Sequence, residues 1–379
     1  MLLLSARGGK PPYIGVISLN RYKVAVYAIC KNEEKFVDRW VDSMSEADGI
    51  FVCDTGSSDN TVEKLKKRGV AVQKISLDEW RFDTARNISL DFVPTDYDIC
   101  VCTDLDEVFE KGWRQELERV WNDKTTQARY SYTWSFKPDG TPDITFYGDK
   151  IHARHGFKWV HPVHEVLKYI GGGSELFSLA YGVKLNHYPD KTKSRSQYLK
   201  LLELSVKEEP DDDRNMHYLG REYMFYERWD DCIKTLKRHL EMKNATWADE
   251  RSASMRFIAR AYKAKGDFYN ASAWQLRAIA EAPYLREPYA ETAVFAFETG
   301  EYLKAYYMVT EALKITVKPK SYISEGFAWD STLYDIGSIC AFNIGLYESA
   351  LALVRIAHKM APDDKRVSEN LIIIERAKK

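Results

Sequence analysis

Asp104 and Asp106, one residue apart, interrupt the stretch I-C-V-C-T-D-L-D-E-V-F that runs from Ile99 to Phe109. Two carboxylates at that spacing can converge on one hard cation, and such a cation can also take phosphate oxygens. The apolar run before them holds no Gly or Pro and is rich in β-branched and thiol side chains, the composition of a strand buried on both faces. Acids just past the carboxyl end of such a strand stand where open α/β sheets hold their ligands. By themselves they could equally be an acidic turn that ends a strand.

The elements that must position them are read from the preceding residues. Lys23–Ile29 (K-V-A-V-Y-A-I) is expected as a first central strand, ended by the polar Lys31-Asn32-Glu33-Glu34. Phe36, Val37, Trp40, Val41 and Met44 then recur at helical spacing. Gly49–Cys53 is a second strand, followed by Asp54-Thr55-Gly56-Ser57-Ser58-Asp59-Asn60-Thr61 and a helix with Val62 and Leu65 inward. Val70–Ile75 makes a third strand, Asp83–Phe92 a helix, and the strand leading to Asp104 comes next. Strand and helix alternate from Lys23 to Cys102, the pattern of a parallel sheet with helices on both faces. Asn32, Glu33, Asp54, Asp104 and Asp106 therefore gather along one sheet edge. Ser, Asp, Asn and Thr also cap helices, which accounts for Ser58 or Asp59 but leaves Asp54 unexplained.

With 379 residues, the chain is expected to form two or three domains. Hydrophobic content of 45% and aromatic content of 13% point to a packed globular protein rather than disorder. Lysines and arginines number 55 against 56 acids, so a general nucleic-acid binder is not expected. No apolar run approaches the roughly 18 residues that span a bilayer. Residues 1–20 read as an irregular leader, with a short edge strand at Tyr13–Ser18; Arg7, Lys10 and two prolines argue against a signal peptide. The six cysteines match no disulfide framework or zinc spacing and read as buried reduced thiols of a cytoplasmic protein.

From about Gln127 the pattern changes. Tyr130, Tyr132, Trp134 and Phe136 alternate before a Lys137-Pro138-Asp139-Gly140 turn, a hairpin signature. Beyond Pro210 the chain repeats. Gly266, Phe268, Ala271 and Ala278 are echoed 34 positions later by Gly300, Tyr302, Ala305 and Ala312. Gly345, Tyr347, Ala350 and Ala357 keep the same internal spacing after an insertion near Lys318–Trp329. That period resembles the tetratricopeptide repeat, a helix-turn-helix unit whose small residues let paired helices approach closely.

The segments V-A-V-Y-A-I-C-K-N-E-E, F-V-C-D-T-G-S-S-D-N-T, T-A-R-N-I-S-L and C-T-D-L-D-E, in that order, resemble a family 2 glycosyltransferase. The resemblance covers residues 22 to about 190 and weakens after residue 110. It implies an α/β GT-A (Rossmann-like), mostly parallel sheet domain over residues 21–200, with the all-α helical-repeat domain over 201–379. It also implies that Asp54 contacts the base or ribose of a nucleotide-sugar, that Asn32 and Glu33 border that nucleotide, and that Arg86 faces the sugar or diphosphate. Asp104 would approach the ribose or metal, and Asp106 would bind Mn2+ or Mg2+. Five of the eight histidines lie between His152 and His187. Family members recruit a third metal ligand downstream of the sheet, for which His187 is the first choice and His164 the second. Inverting transfer needs a base to take the acceptor proton. Glu165 is the candidate, with Glu107 and Asp149 as rivals.

The expected activity is metal-dependent, inverting transfer of a sugar from a UDP-sugar to an acceptor, with a peptide or protein held by the repeats as the best fit. The repeats could equally serve a homodimer. Two other classes stay open: a non-catalytic repeat scaffold with a relic sheet domain, and a sugar nucleotidyltransferase. The latter usually carries a Gly-rich basic loop after the first strand, and Lys31-Asn32-Glu33-Glu34 is not one. The balanced charge disfavours a DNA acceptor.

Overall fold

The structure is a computed structural model that describes residues 21–190 and 196–377. The leader and the Tyr13–Ser18 strand expected from the sequence lie outside the described residues.

The first half alternates strand and helix: β1 (Val24–Cys30), α1 (Val37–Met44), β2 (Gly49–Asp54), α2 (Thr61–Lys67), β3 (Ala71–Lys74), α3 (Phe82–Phe92) and β4 (Ile99–Cys102). There follow β5 (Glu107–Phe109), α4 (Trp113–Val120), β6 (Gln127–Thr133), β7 (Thr145–Ala153), β8 (Phe157–Val160), β9 (Val166–Tyr169) and β10 (Phe177–His187). An eight-stranded sheet has the order β3-β2-β1-β4-β7-β6-β10-β5, and β8 pairs with β9 as a separate ribbon. β3, β2, β1 and β4 run parallel, so their carboxyl ends open on the same edge. β7 then pairs antiparallel with both β4 and β6, while β10 pairs parallel with β6 and antiparallel with β5.

Alternation along β1 explains why both sheet faces are covered. Val24, Val26 and Ala28 enter one core with Trp40 and Met44 of α1 and Trp113 and Leu117 of α4. Ala25 and Tyr27 point the other way and meet Leu90 of α3, Cys100, Cys102 and Trp159. Burying apolar surface on both faces stabilises by about 25 cal/mol per Å² removed from water, so neither sheet face can be slipped by a residue without exposing a core. The fully buried Tyr27 hydroxyl does not go unpaired: it accepts from the Trp159 indole N–H at 2.8 Å and lies 2.8 Å from His152 Nε2.

The second half is helical: α5 (Tyr198–Glu208), then the pairs α6 (Asp213–Phe225) with α7 (Trp229–Glu241), α8 (Ala248–Ala264) with α9 (Phe268–Glu281), α10 (Arg286–Glu298) with α11 (Tyr302–Lys314) and α12 (Thr332–Asn343) with α13 (Tyr347–Met360), closed by α14 (Lys365–Ala377). Ala271, Ala278, Ala305, Ala312, Ala350 and Ala357 are fully buried where the helices of a pair touch. Gly266, Gly300 and Gly345 turn the last three pairs at φ between +75° and +80°, a conformation that side chains disfavour, and Glu227 takes +56° between α6 and α7. These are tetratricopeptide-like units.

The insertion between α11 and α12 holds only one short 3-10 turn (Gly326–Ala328) and acts as a strap over the first helices of the pairs. Its Tyr322 stacks near Tyr218 of α6 and bonds Glu250 of α8; its Glu325 binds Arg256 and Arg260 of α8; its Trp329 donates to Glu287 of α10. The same strap reaches the sheet domain, where Lys318 pairs with Asp143 at 2.7 Å and Tyr322 meets Phe146 edge-on.

Candidate active site at the carboxyl edge of the sheet

The loops that follow β1 and β2 lock together. Asp54 is buried at the end of β2 and its carboxylate accepts the Gly56 and Ser57 backbone N–H groups, each at 3.2 Å. Asn32 takes a left-handed φ of 56° after β1. From there its N–H donates to Ser57 Oγ (2.9 Å) and its side-chain oxygen accepts from Ser58 N–H (2.8 Å). The Glu33 N–H donates to Thr61 Oγ1 at the start of α2, at 2.8 Å. Asn32 and Asp54 thus shape one rim, fixed by short polar side chains that the sequence concentrates there.

Beside it, β4 delivers Asp104 and Asp106 to different partners. Arg86, from the buried face of α3, is only 3% exposed. Its Nη2 donates to Asp104 Oδ1 at 2.6 Å, its Nε to Glu165 Oε1 at 2.9 Å and its Nη1 to Cys102 Sγ at 3.3 Å. Lys150 of β7 lies 3.4 Å from the second Asp104 oxygen and 3.8 Å from Glu107. Burial pushes the Asp104 carboxyl up, but Arg86 and Lys150 outweigh it and hold Asp104 well below the usual carboxylate range. Burial, opposed by Lys150 and assisted by the Asp104 charge, raises Glu107. Burial lowers Lys150, yet the Glu107 and Asp104 carboxylates more than compensate and keep it charged.

Asp106 faces the other way. Its Oδ2 stands 3.5 Å from His187 Nε2 at the end of β10, and its carbonyl accepts the Tyr188 N–H. The His187 Nδ1 lies 3.2 Å from the Trp134 carbonyl, and its ring stacks on the half-exposed Trp134 at 4.4 Å. Burial lowers the His187 pKa, but the Asp106 carboxylate, supported by Glu107, raises it overall. A carboxylate oxygen and an imidazole nitrogen 3.5 Å apart can share one ion at ordinary ligand distances of about 2.1 Å, so this pair fits a divalent cation. Among the described residues, Asp104, Asp106 and His187 do not bring three ligand atoms within 4.8 Å of one another. Asp104 is held by its two cations instead.

The remaining candidates go elsewhere. His164 stacks on Tyr218 of α6 at 4.1 Å, His161 meets Asn215, His155 lies near the Thr95 carbonyl, and His152 is core. Both Glu107 oxygens are engaged, by the Asp104 N–H at 2.9 Å and the Tyr132 hydroxyl at 2.7 Å, which leaves Glu107 to support the turn. Asp149 is exposed, on the part of β7 where the pairing with β6 shifts register. A cavity of about 250 Å³ lined by Arg81, Asp83, Lys158, His161 and Glu209 shares no residue with this edge. Lys150, Tyr132 and Trp134 were not anticipated. Lys150 lies on β7, Tyr132 on β6 and Trp134 just past it, and the aromatic alternation marks a hairpin without marking a site.

The sequence model for glycosyl transferase family 2 matches residues 25–165. Solved structures similar to this chain include the MamA protein (17% identity, TM-score 0.34, covering 43% of this chain and 80% of that one). Yeast Tom70 matches at 13% identity and a TM-score of 0.37 over 50% of this chain, which spans 37% of that chain's length. A thermophilic TPR protein of Thermus thermophilus matches at 17% identity and a TM-score of 0.33, over 47% of this chain and 89% of that one. No described helix is long and apolar enough to cross a membrane. The matched segment holds β1, β2, β4, the acids at their carboxyl ends and the arginine that braces them: residues 25–165 are a family 2 glycosyl transferase domain.

Proposed function

We propose that the chain is an inverting, metal-dependent glycosyltransferase that uses a nucleotide-sugar, with UDP as the expected carrier. The observation that carries this reading is the Asp106–His187 pair beside the Asp104–Arg86–Lys150 cluster, on the edge where Asn32 and Asp54 shape a rim. Asp54 and Asn32 bind the nucleoside, with Glu33 supporting the same loop. Asp106 and His187 hold Mn2+ or Mg2+, and Asp104 contributes to the ribose or to the ion once its cations yield. A divalent cation there supplies Lewis-acid neutralisation of the charge that develops on a departing diphosphate. Arg86 acts as a positioning residue, because its donors are spent on Asp104 and Glu165. Glu165 is the proposed base: Arg86 fixes one of its oxygens, which leaves the other to take the acceptor proton.

The acceptor is proposed to be a peptide or protein guided by the repeats. Since the strap already covers parts of α6, α8 and α10, such an acceptor would approach along the sheet edge. A thermal-shift series with UDP and UDP-sugars, with Mn2+ and with chelator, tests the reading. Ligand at about 100 times its Kd should add about 2.7 kcal/mol of stability, and Asp106→Ala should remove the metal-dependent part. Survival of the full shift in that variant would refute the ion site. No shift in the unaltered chain would favour the repeat scaffold.

A further inference from the structure

We propose that Asp213, His239 and Glu250 form a second divalent-cation site, of the zinc class, where α6, α7 and α8 meet. One ligand atom from each converges with the others inside 4.8 Å, and the three residues come from three successive helices. His239 is fully buried and its Nε2 finds no hydrogen-bond partner among the described residues. That nitrogen stands 3.3 Å from Glu250 Oε1. A charge-assisted N–H to carboxylate bond would close to about 2.7–2.9 Å. A tetrahedral ion with ligands at about 2.0–2.1 Å instead sets neighbouring ligand atoms about 3.3 Å apart.

The site is also built from outside. Each ligand residue is also held by a further hydrogen-bonding partner, the kind of support that orients metal ligands. Ser254 Oγ lies 3.0 Å from His239 Nδ1, Asn244 donates to Asp213 Oδ1 at 3.1 Å, and the Tyr322 hydroxyl donates to Glu250 Oε2. Ser254 Oγ is also 2.8 Å from His217 Nδ1. Its single proton can serve only one imidazole. When it donates to His217, it accepts from His239 Nδ1–H, and His239 Nε2 becomes a bare lone pair aimed at the two carboxylates. One imidazole with two carboxylates suits Zn2+ or Mn2+ better than the all-oxygen shells of Ca2+ and Mg2+. Asp213 is half-buried and provides the way in, while His239 and Glu250 are enclosed. A cation here ties the first repeat helices together and, through Tyr322, fixes the strap.

The test uses the full chain carrying Asp106→Ala, so that the ion proposed for transfer is absent and the two sites cannot be confused. Chelator-stripped protein is titrated with Zn2+ by calorimetry, its bound metal is counted by elemental analysis, and its Co2+ form is examined for the visible absorption of a four-coordinate ion. One equivalent of Zn2+ and the Co2+ band are expected, and both should disappear in His239→Gln and in Asp213→Asn. If either variant loses its native circular dichroism, the near-isosteric Glu250→Gln replaces it. No Zn2+ uptake by the Asp106→Ala chain, or unchanged stoichiometry in the folded ligand variants, overturns the proposal.

Discussion

Replacing Arg86 with Leu tests whether the arginine braces the reaction edge rather than merely decorating it. Its side chain is 4% exposed and joins Asp104 at 2.6 Å to Glu165 at 2.9 Å, with Trp159 beneath the guanidinium. Leu removes the cation and leaves Glu165, itself 11% exposed, without its compensating charge. Removing one member of a buried pair typically costs about 3–5 kcal/mol. Asp104 contributes less to that loss, because 38% of its side chain stays accessible and Lys150 remains beside it. The expected loss is therefore near the lower bound, about 3 kcal/mol in urea unfolding at pH 7. The pH dependence has a definite sign. The folded-state Asp104 pKa is depressed, so its contribution is present above the unfolded value near 3.9 and is lost as the pH falls through the folded value. The gap between parent and variant should shrink below about pH 4. A variant within about 1 kcal/mol of the parent at pH 7, or a gap that widens in acid, would refute the brace.

Further predictions concern the core and the strap. Burial holds His152 down to about 4, so its contribution to stability is present above the unfolded value near 6.5 and lost as the pH drops toward 4. Urea midpoints should fall over that window, and His152→Asn should lower stability at pH 7 while flattening the fall. Glu325→Ala removes the carboxylate that meets Arg256 at 2.7 Å and Arg260 at 2.8 Å, and should cost about 2 kcal/mol. Limited proteolysis should then cut within residues 315–331 faster than in the parent; an unchanged cleavage pattern would show that the strap is held by other contacts.

The order β1-α1-β2-α2-β3-α3-β4 was legible because apolar runs of strand length alternate with helical periodicity, and parallel register then forces Asn32, Asp54 and Asp104 to one edge. The repeats were legible for a similar reason: buried Ala and positive-φ Gly recur at the spacing that helix pairs require. The later strands were not. Their aromatic-rich stretches fix neither the pairing of β10 between β6 and β5 nor which face Lys150 occupies, since long-range register is set by packing. Arg86 looked like a ligand-facing residue in an A-R-N segment, but burial and two carboxylates claim its donors. Nor could spacing reveal that Lys318 would meet Asp143, 175 positions earlier.

The strap's double attachment gives the molecule a return stitch. The sheet half and the helical half are joined by chain continuity and again, far along the sequence, by Lys318, Tyr322 and their partners. Expressed as two separate polypeptides, the halves should find each other and co-purify. Shape changes at the repeats would then be felt at the β6–β7 turn, whose Trp134 carbonyl steadies His187.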